Sequence, residues 1–151
     1  MRQIICFGTI LVSLFVVFCM GSCNNSSRNT GNDSLSAKVK RGDYLVNAVA
    51  NCMHCHADRD FSKFSGPTVP GTEGKGGQRK GVLVSNITPT ALGNWTDKEI
   101  ERAITTGITH AGDTLFPTMP YMSYKYLTKY DAESIVAYLR TLKPLPDNNY
   151  F

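Results

Sequence analysis

A chain of 151 residues suits a single domain, and a formal net charge of +4 spread along it is too mild for a nucleic-acid binder. Three of the five cysteines lie before residue 24 and the other two stand together at 52 and 55, so no disulfide framework is left over. Without the first 22 residues the balance is 15 Lys/Arg against 12 Asp/Glu, which says little about partners.

Met1 to Ser22 has Arg2 as its only charged side chain, followed by an uncharged run from Ile4 to Met20. That is the layout of a secretory signal. Its end, Met20-Gly21-Ser22-Cys23, resembles a lipoprotein signal-peptidase site, with small residues before a cysteine that becomes the lipidated N-terminus. Met20 departs from the leucine preferred there. An uncleaved anchor and an ordinary signal peptide are the alternatives, the run being at the short end of the ~17–25 residues needed to span a bilayer. All three readings export the domain, with Cys23 lipidation placing it in the periplasm or at the cell surface on a membrane. Asn24 to Ala37 is small and polar apart from Leu35, and reads as a flexible tether of ~20 Å reach. The expected organisation is therefore a signal peptide over 1–22, lipidated Cys23 and tether over 23–37, a folded domain over 38–146 and a short tail over 147–151.

Lys38 to Asn51 reads as a helix, with Tyr44, Leu45, Ala48 and Val49 on one apolar face. Gly42 costs that helix about 1 kcal/mol relative to alanine, and reads either as admitting a closely crossing neighbour or as an ordinary turn residue near the helix start. The helix runs into Cys52-Met53-His54-Cys55-His56. C-x-x-C-H is the attachment signature of a c-type haem. Two thiols at this spacing add to the two vinyl groups on one porphyrin edge, and His56 is then held under the iron as a ligand. A thioredoxin-like C-x-x-C would need a βαβ pattern, which is missing, and zinc would need a fourth ligand that His110 alone does not supply. His54, between the cysteines, is read as turned outward.

Arg59 to Gly81, with six glycines and two prolines, reads as a loop wrapping the haem, its Lys/Arg over 75–80 a solvated surface. Val82 to Ser85 is a short extended stretch. Thr96 and Glu99 form a capping box, so a helix starts at Asp97, buries Ile100, Ala103 and Ile104, and stops at Gly107. Trp95, the only tryptophan, reads both as a pocket wall and as a hydrophobic staple at the helix entrance. Gly112 to Tyr126 is aromatic and aperiodic, an ordered loop packed on something large and flat. Within it Pro120 pushes Met119 into an extended conformation, which presents the thioether as a sixth iron ligand. Met122 and His110 are its rivals. Thr128 caps a last helix with Ile135, Val136, Leu139 and Leu142 on its buried face, ended by Pro144. Packed across the first helix, with Gly42 at the crossing, it would join the two ends of the domain.

Together, the C-x-x-C-H, a later Met119-Pro120 and a final amphipathic helix resemble class I cytochromes c. Ser85-Asn86-Ile87-Thr88-Pro89, Gly93-Asn94-Trp95-Thr96-Asp97, Leu115-Phe116-Pro117-Thr118-Met119-Pro120-Tyr121 and Tyr138-Leu139-Arg140 look like the cytochrome subunits of membrane-bound sugar and alcohol dehydrogenases. The resemblance covers Arg41 to Pro144. It implies an all-α fold around one covalent haem c, bound through Cys52 and Cys55, with His56 and Met119 on the iron. Gly66-Pro67 resembles the glycine-proline whose carbonyl, in many cytochromes c, accepts a hydrogen bond from the proximal histidine. The implied function is single-electron transfer between redox proteins, a membrane dehydrogenase or terminal oxidase among them, with no catalysis of its own. A haem protein with an open distal site, acting as a ligand sensor or a peroxidase-like enzyme, is the alternative. Those dehydrogenase subunits carry several C-x-x-C-H motifs where this sequence has one.

Overall fold

The computed structural model describes residues 30–79 and 81–147. The signal peptide, Cys23 and the tether over 24–29 lie outside the described residues, as do Lys80 and the tail over 148–151. From Gly31 onward the chain forms one compact unit.

The first helix, α1 (Thr30–Tyr44), starts well before Lys38, inside the stretch expected to be a tether. Residues 34–37 are exposed. A helix nucleated by a packed segment extends outward at little cost, which is how a polar sequence comes to be helical here. Beyond Tyr44 the helix widens into one π-turn over Leu45–Val49. The 3.6-residue register does not carry across such a turn. Only Leu45 and Val46 are buried, whereas Tyr44 and Val49 are 55% and 57% exposed, so the apolar face expected at 44, 45, 48 and 49 is replaced by a two-residue contact.

After the one-turn α2 (Met53–His56), strands β1 (Gly77–Arg79) and β2 (Val82–Val84) pair antiparallel, with Gln78 opposite Leu83. The fold is thus helical with one small hairpin. Three helices follow: α3 (Pro89–Leu92), α4 (Asp97–Thr106) and α5 (Tyr121–Tyr124). α4 begins at the expected capping box, Thr96 and Glu99 each bonding the other's backbone N–H. It ends at Gly107, whose φ of 76° is the left-handed conformation that favours glycine. The last helix, α6 (Lys129–Leu139), is capped by Thr128, whose hydroxyl accepts from the Asp131 N–H.

The core joins Leu45, Val46 and Met53 to Ile100 and Ile104 of α4 and to Ile135, Val136 and Leu139 of α6. Full burial of such side chains contributes about 1.5–3 kcal/mol each. α1 crosses α6 at Gly42 as expected. A Cβ there would collide with the Ser134 carbonyl oxygen and lie 2.7 Å from the Tyr138 Cβ. Lys38 and Arg41 flank the crossing, paired to Glu133 at 2.7 Å and Asp131 at 2.8 Å.

Gly42→Ala should therefore lower stability by about 1–3 kcal/mol, through overpacking against backbone that cannot yield, as read by the denaturant midpoint. Hydrogen bonds from Lys38 and Arg41 hold the Glu133 and Asp131 carboxyls below their ordinary values. Their stabilisation is complete above the unfolded carboxylate range and is lost as pH falls through the lower folded values. In an Asp131→Asn/Glu133→Gln double variant, the drop in midpoint between about pH 5 and about pH 3 should be shallower than in the wild type.

Candidate haem cavity

The π-turn sets up the cysteine motif. It closes with the Ala50 N–H on the Leu45 carbonyl at 2.7 Å and the Cys52 N–H on the Val46 carbonyl at 2.8 Å. Asn51 then adopts φ of 50°, a left-handed conformation asparagine tolerates better than most residues, and turns the chain into α2. Cys52, Cys55 and His56 all line one cavity of about 1010 Å³. Leu92, Ile100, Ile104, Ile135 and Leu139 supply much of its apolar wall, and Trp95 also lines it while packing against the core. Trp95 thus serves as the expected wall.

His56 is 9% exposed. Its Nδ1 lies 2.8 Å from the Ser85 carbonyl, which can only accept, so Nδ1 carries the proton and Nε2 keeps its lone pair. Burial holds His56 below its ordinary pKa, against the opposing effect of the Ser85 bond. A neutral imidazole fixed in this tautomer is the form that ligates a metal, and the second hydrogen bond sets its orientation and basicity. The acceptor is Ser85, not Gly66-Pro67. The Gly66 carbonyl instead accepts from the Arg59 Nε–H, and the Pro67 carbonyl from the Asp60 N–H at 2.9 Å. The intervening loop is long enough to bring β2 to the imidazole in place of the glycine-proline.

Ser85 is held in place through the next residue in the chain. Asn86, 1% exposed, donates to the Leu145 carbonyl at 3.1 Å and accepts from the Thr88 N–H and hydroxyl at 2.8 and 2.7 Å. On the other side of the motif, Lys75 and Arg79 are not the solvated surface expected of them. Both pair with Asp58, at 2.9 and 3.1 Å, and Arg79 also donates to the Ala57 carbonyl at 2.6 Å. They lock the loop and hairpin onto the two residues after His56.

Burial pushes the Cys52 thiol up to about 11, the neighbouring Cys55 adding to the effect. No disulfide joins Cys52 and Cys55. Among the described residues, no three His, Cys, Asp or Glu side chains come together to hold a metal ion. His54 is exposed and its Nδ1 meets the Arg59 guanidinium at 2.7 Å.

Met119 is half-buried and lines the same cavity. Met122 is 62% exposed and His110 is exposed, and neither lines it. His110 instead rests edge-on against Trp95, ring centroids 4.6 Å apart. Tyr124 was not singled out by sequence reasoning, and Arg140 entered only within the Tyr138-Leu139-Arg140 motif, with no role. Tyr124 lines the cavity and donates its O–H to the Ala50 carbonyl at 2.9 Å. Burial, with the two cysteine thiols nearby, pushes its phenol up to about 12, so it remains a donor. Arg140 donates to the Leu92 carbonyl at 2.8 Å and to Asp97 at 2.9 Å, fastening the Trp95 turn to α6. The sequence signal for Tyr124 was an aromatic-rich loop, and that for Arg140 a motif at a helix end.

The cytochrome c family profile matches residues 39–143, which is most of the chain. The chain belongs to the cytochrome c family. Over 114 residues this cytochrome is 35% identical to the gluconate 2-dehydrogenase cytochrome c subunit of Pantoea cypripedii, covering 71% of this chain and 23% of that protein. It is 35% identical over 113 residues to the fructose dehydrogenase cytochrome subunit of Gluconobacter japonicus, at 71% and 22% coverage. It is 34% identical over 118 residues to the cytochrome c subunit of the quinone alcohol dehydrogenase of Gluconacetobacter polyoxogenes, at 75% and 24%. The chain thus spans about a quarter of the length of these three relatives. Family membership makes this an electron-transfer protein carrying covalently bound haem c, and the cavity agrees. Its volume is at the upper end of the ~300–1,000 Å³ typical of small-molecule sites, and its donors are two thiols, an imidazole and a thioether in an apolar lining.

Asn86→Ala should cost about 2–3 kcal/mol, because it strands the buried Thr88 N–H and the Leu145 carbonyl that Asn86 now satisfies. Denaturant unfolding of the haem-loaded protein reads this directly.

Proposed function

We propose that this chain is an exported, lipid-anchored monohaem cytochrome c that passes single electrons between redox proteins, its iron held by His56 and Met119. The observation that carries the ligand assignment is that Met119 lines the cavity of Cys52, Cys55 and His56 while Met122 and His110 stand outside it. Cys52 and Cys55 provide the two thioether links, and the single C-x-x-C-H of the sequence supports one haem. Bound haem supplies an iron(III)/iron(II) couple. The chain's own residues would do the rest: His56, oriented through Ser85, and Met119, stiffened by Pro120, would hold the iron, and the apolar wall would exclude water. A neutral thioether together with a neutral imidazole would favour the reduced iron and raise the potential relative to two histidines.

The names of the relatives support a dehydrogenase as the electron donor, with a membrane oxidase or another cytochrome as acceptor. Residues 1–22 are the signal peptide and Cys23 the lipidated anchor on this reading. The domain over 38–146 is the electron carrier, with 147–151 as its tail. Among the described residues no helix is long and apolar enough to cross a membrane. A lipid at Cys23 would hold the domain at the membrane of the periplasm or cell surface.

Visible spectra of the exported protein before and after Met119→Ala test the ligand set. The ferric wild type should show the weak far-red band of methionine-to-iron ligation, and its ferrous form should bind carbon monoxide poorly. Met119→Ala should abolish the band and bind carbon monoxide readily, while Met122→Ala and His110→Ala leave both unchanged. A wild type without the band and open to carbon monoxide would make a ligand sensor or peroxidase-like enzyme the better reading. Cys23→Ser should release the protein from the membrane fraction, and retention there would exclude the lipid anchor.

A further inference from the structure

Met119 sits in a turn that has little of its own to hold it. Its N–H bonds the Phe116 carbonyl at 2.9 Å, and its carbonyl accepts from the Tyr121 N–H at 2.8 Å, both within the turn. The flanking Phe116, Met122 and Tyr126 are 63%, 62% and 80% exposed. On the α4 side the turn leans on Gly107, where a Cβ would lie 2.8 Å from the Tyr121 ring. On the cysteine side there is a single polar tie. Among the described residues, the Tyr124 O–H on the Ala50 carbonyl is the only side-chain hydrogen bond that residues 116–126 make to the rest of the protein.

Its two ends are specific. Ala50 closes the π-turn onto Leu45 and stands two residues ahead of Cys52. Tyr124 ends α5, the single turn that starts directly after Met119-Pro120. The bond therefore joins the segment that fixes the haem to the segment that carries its sixth ligand, across 74 residues of sequence. We propose that Tyr124 is a positioning residue for the sixth ligand, its O–H on Ala50 clamping the Met119 turn onto the haem-attachment segment and setting how often the thioether leaves the iron. The role rests on Met119 being that ligand.

The test is the rate of carbon monoxide binding to the ferrous, haem-loaded protein, which Met119 must vacate first. Tyr124→Phe keeps the ring in its packed place and removes only the hydroxyl. The loss of one part-buried hydrogen bond should raise the open population, and with it the carbon monoxide rate, about 2- to 12-fold. The ferric far-red band should persist, since the ligand is loosened and not lost. Tyr126→Phe, in the same loop but exposed, serves as the reference and should match the wild type. A thermal shift alone would follow from any packing role, whereas faster ligand entry with the band retained would not. If the wild type shows the band and Tyr124→Phe binds carbon monoxide at the wild-type rate, the clamp is overturned and the Met119 assignment stands. If the wild type lacks the band, the Met119 assignment falls and the clamp with it.

Discussion

The close crossing of α1 and α6 at Gly42 is the constraint on which the rest of the structure depends. With no side chain at that position the backbone of α1 can approach the Ser134 carbonyl directly. That approach brings Leu45 and Val46 against Ile135, Val136 and Leu139, and so connects the start of the domain to its end. It also fixes the angle at which the chain leaves α1. The π-turn and the left-handed Asn51 then aim the two thiols and His56 into the cavity that α4 and α6 help to wall. A bulkier residue at 42 would disturb the helix pair and the cofactor site through one displacement.

Around the cavity, backbone carbonyls are the acceptors that tie the loops together. Ser85 orients His56, Ala50 receives Tyr124, and Leu92 receives Arg140. Each bond spans a long separation in sequence, so together they join the loops into a closed ring around an apolar space. The arrangement suits an electron carrier. The Met119 turn is the least tied part of that ring, with exposed neighbours and one side-chain hydrogen bond. The two side chains differ in the same way: His56 is buried and bonded to the Ser85 carbonyl, whereas Met119 is half-buried in a turn fastened at a distance.

Much of this architecture was legible in the sequence because its signals are local. The capping box at Thr96 and Glu99, the stop at Gly107, the Thr128 cap and the C-x-x-C-H each involve residues within a turn or two of one another. Periodicity served where helices are regular, placing Ile100, Ala103 and Ile104 inward. It failed at Tyr44 and Val49, because a π-turn changes the residues per turn and nothing in the composition announces it. It also failed at Thr30–Ala37, where a polar stretch is helical as the extension of a helix anchored elsewhere.

By itself, then, the sequence determined the haem attachment chemistry, both ends of α4, the start of α6 and the family, since all of these come from short-range spacing; α6 stops at Leu139, short of the expected Leu142. Tertiary structure alone decided the partners across long distances. The acceptor for His56 is a carbonyl, and every residue carries one, so only the folded path of β2 could choose Ser85 over Gly66-Pro67. Met119, Met122 and His110 are all possible ligands in one dimension, and only the cavity's outline puts Met119 inside it and leaves the others outside. Lys75 and Arg79 read as surface charge until the loop folds back to set them on Asp58. Charge and hydrogen-bonding capacity are written residue by residue, but which groups meet is a property of the path the backbone takes through space.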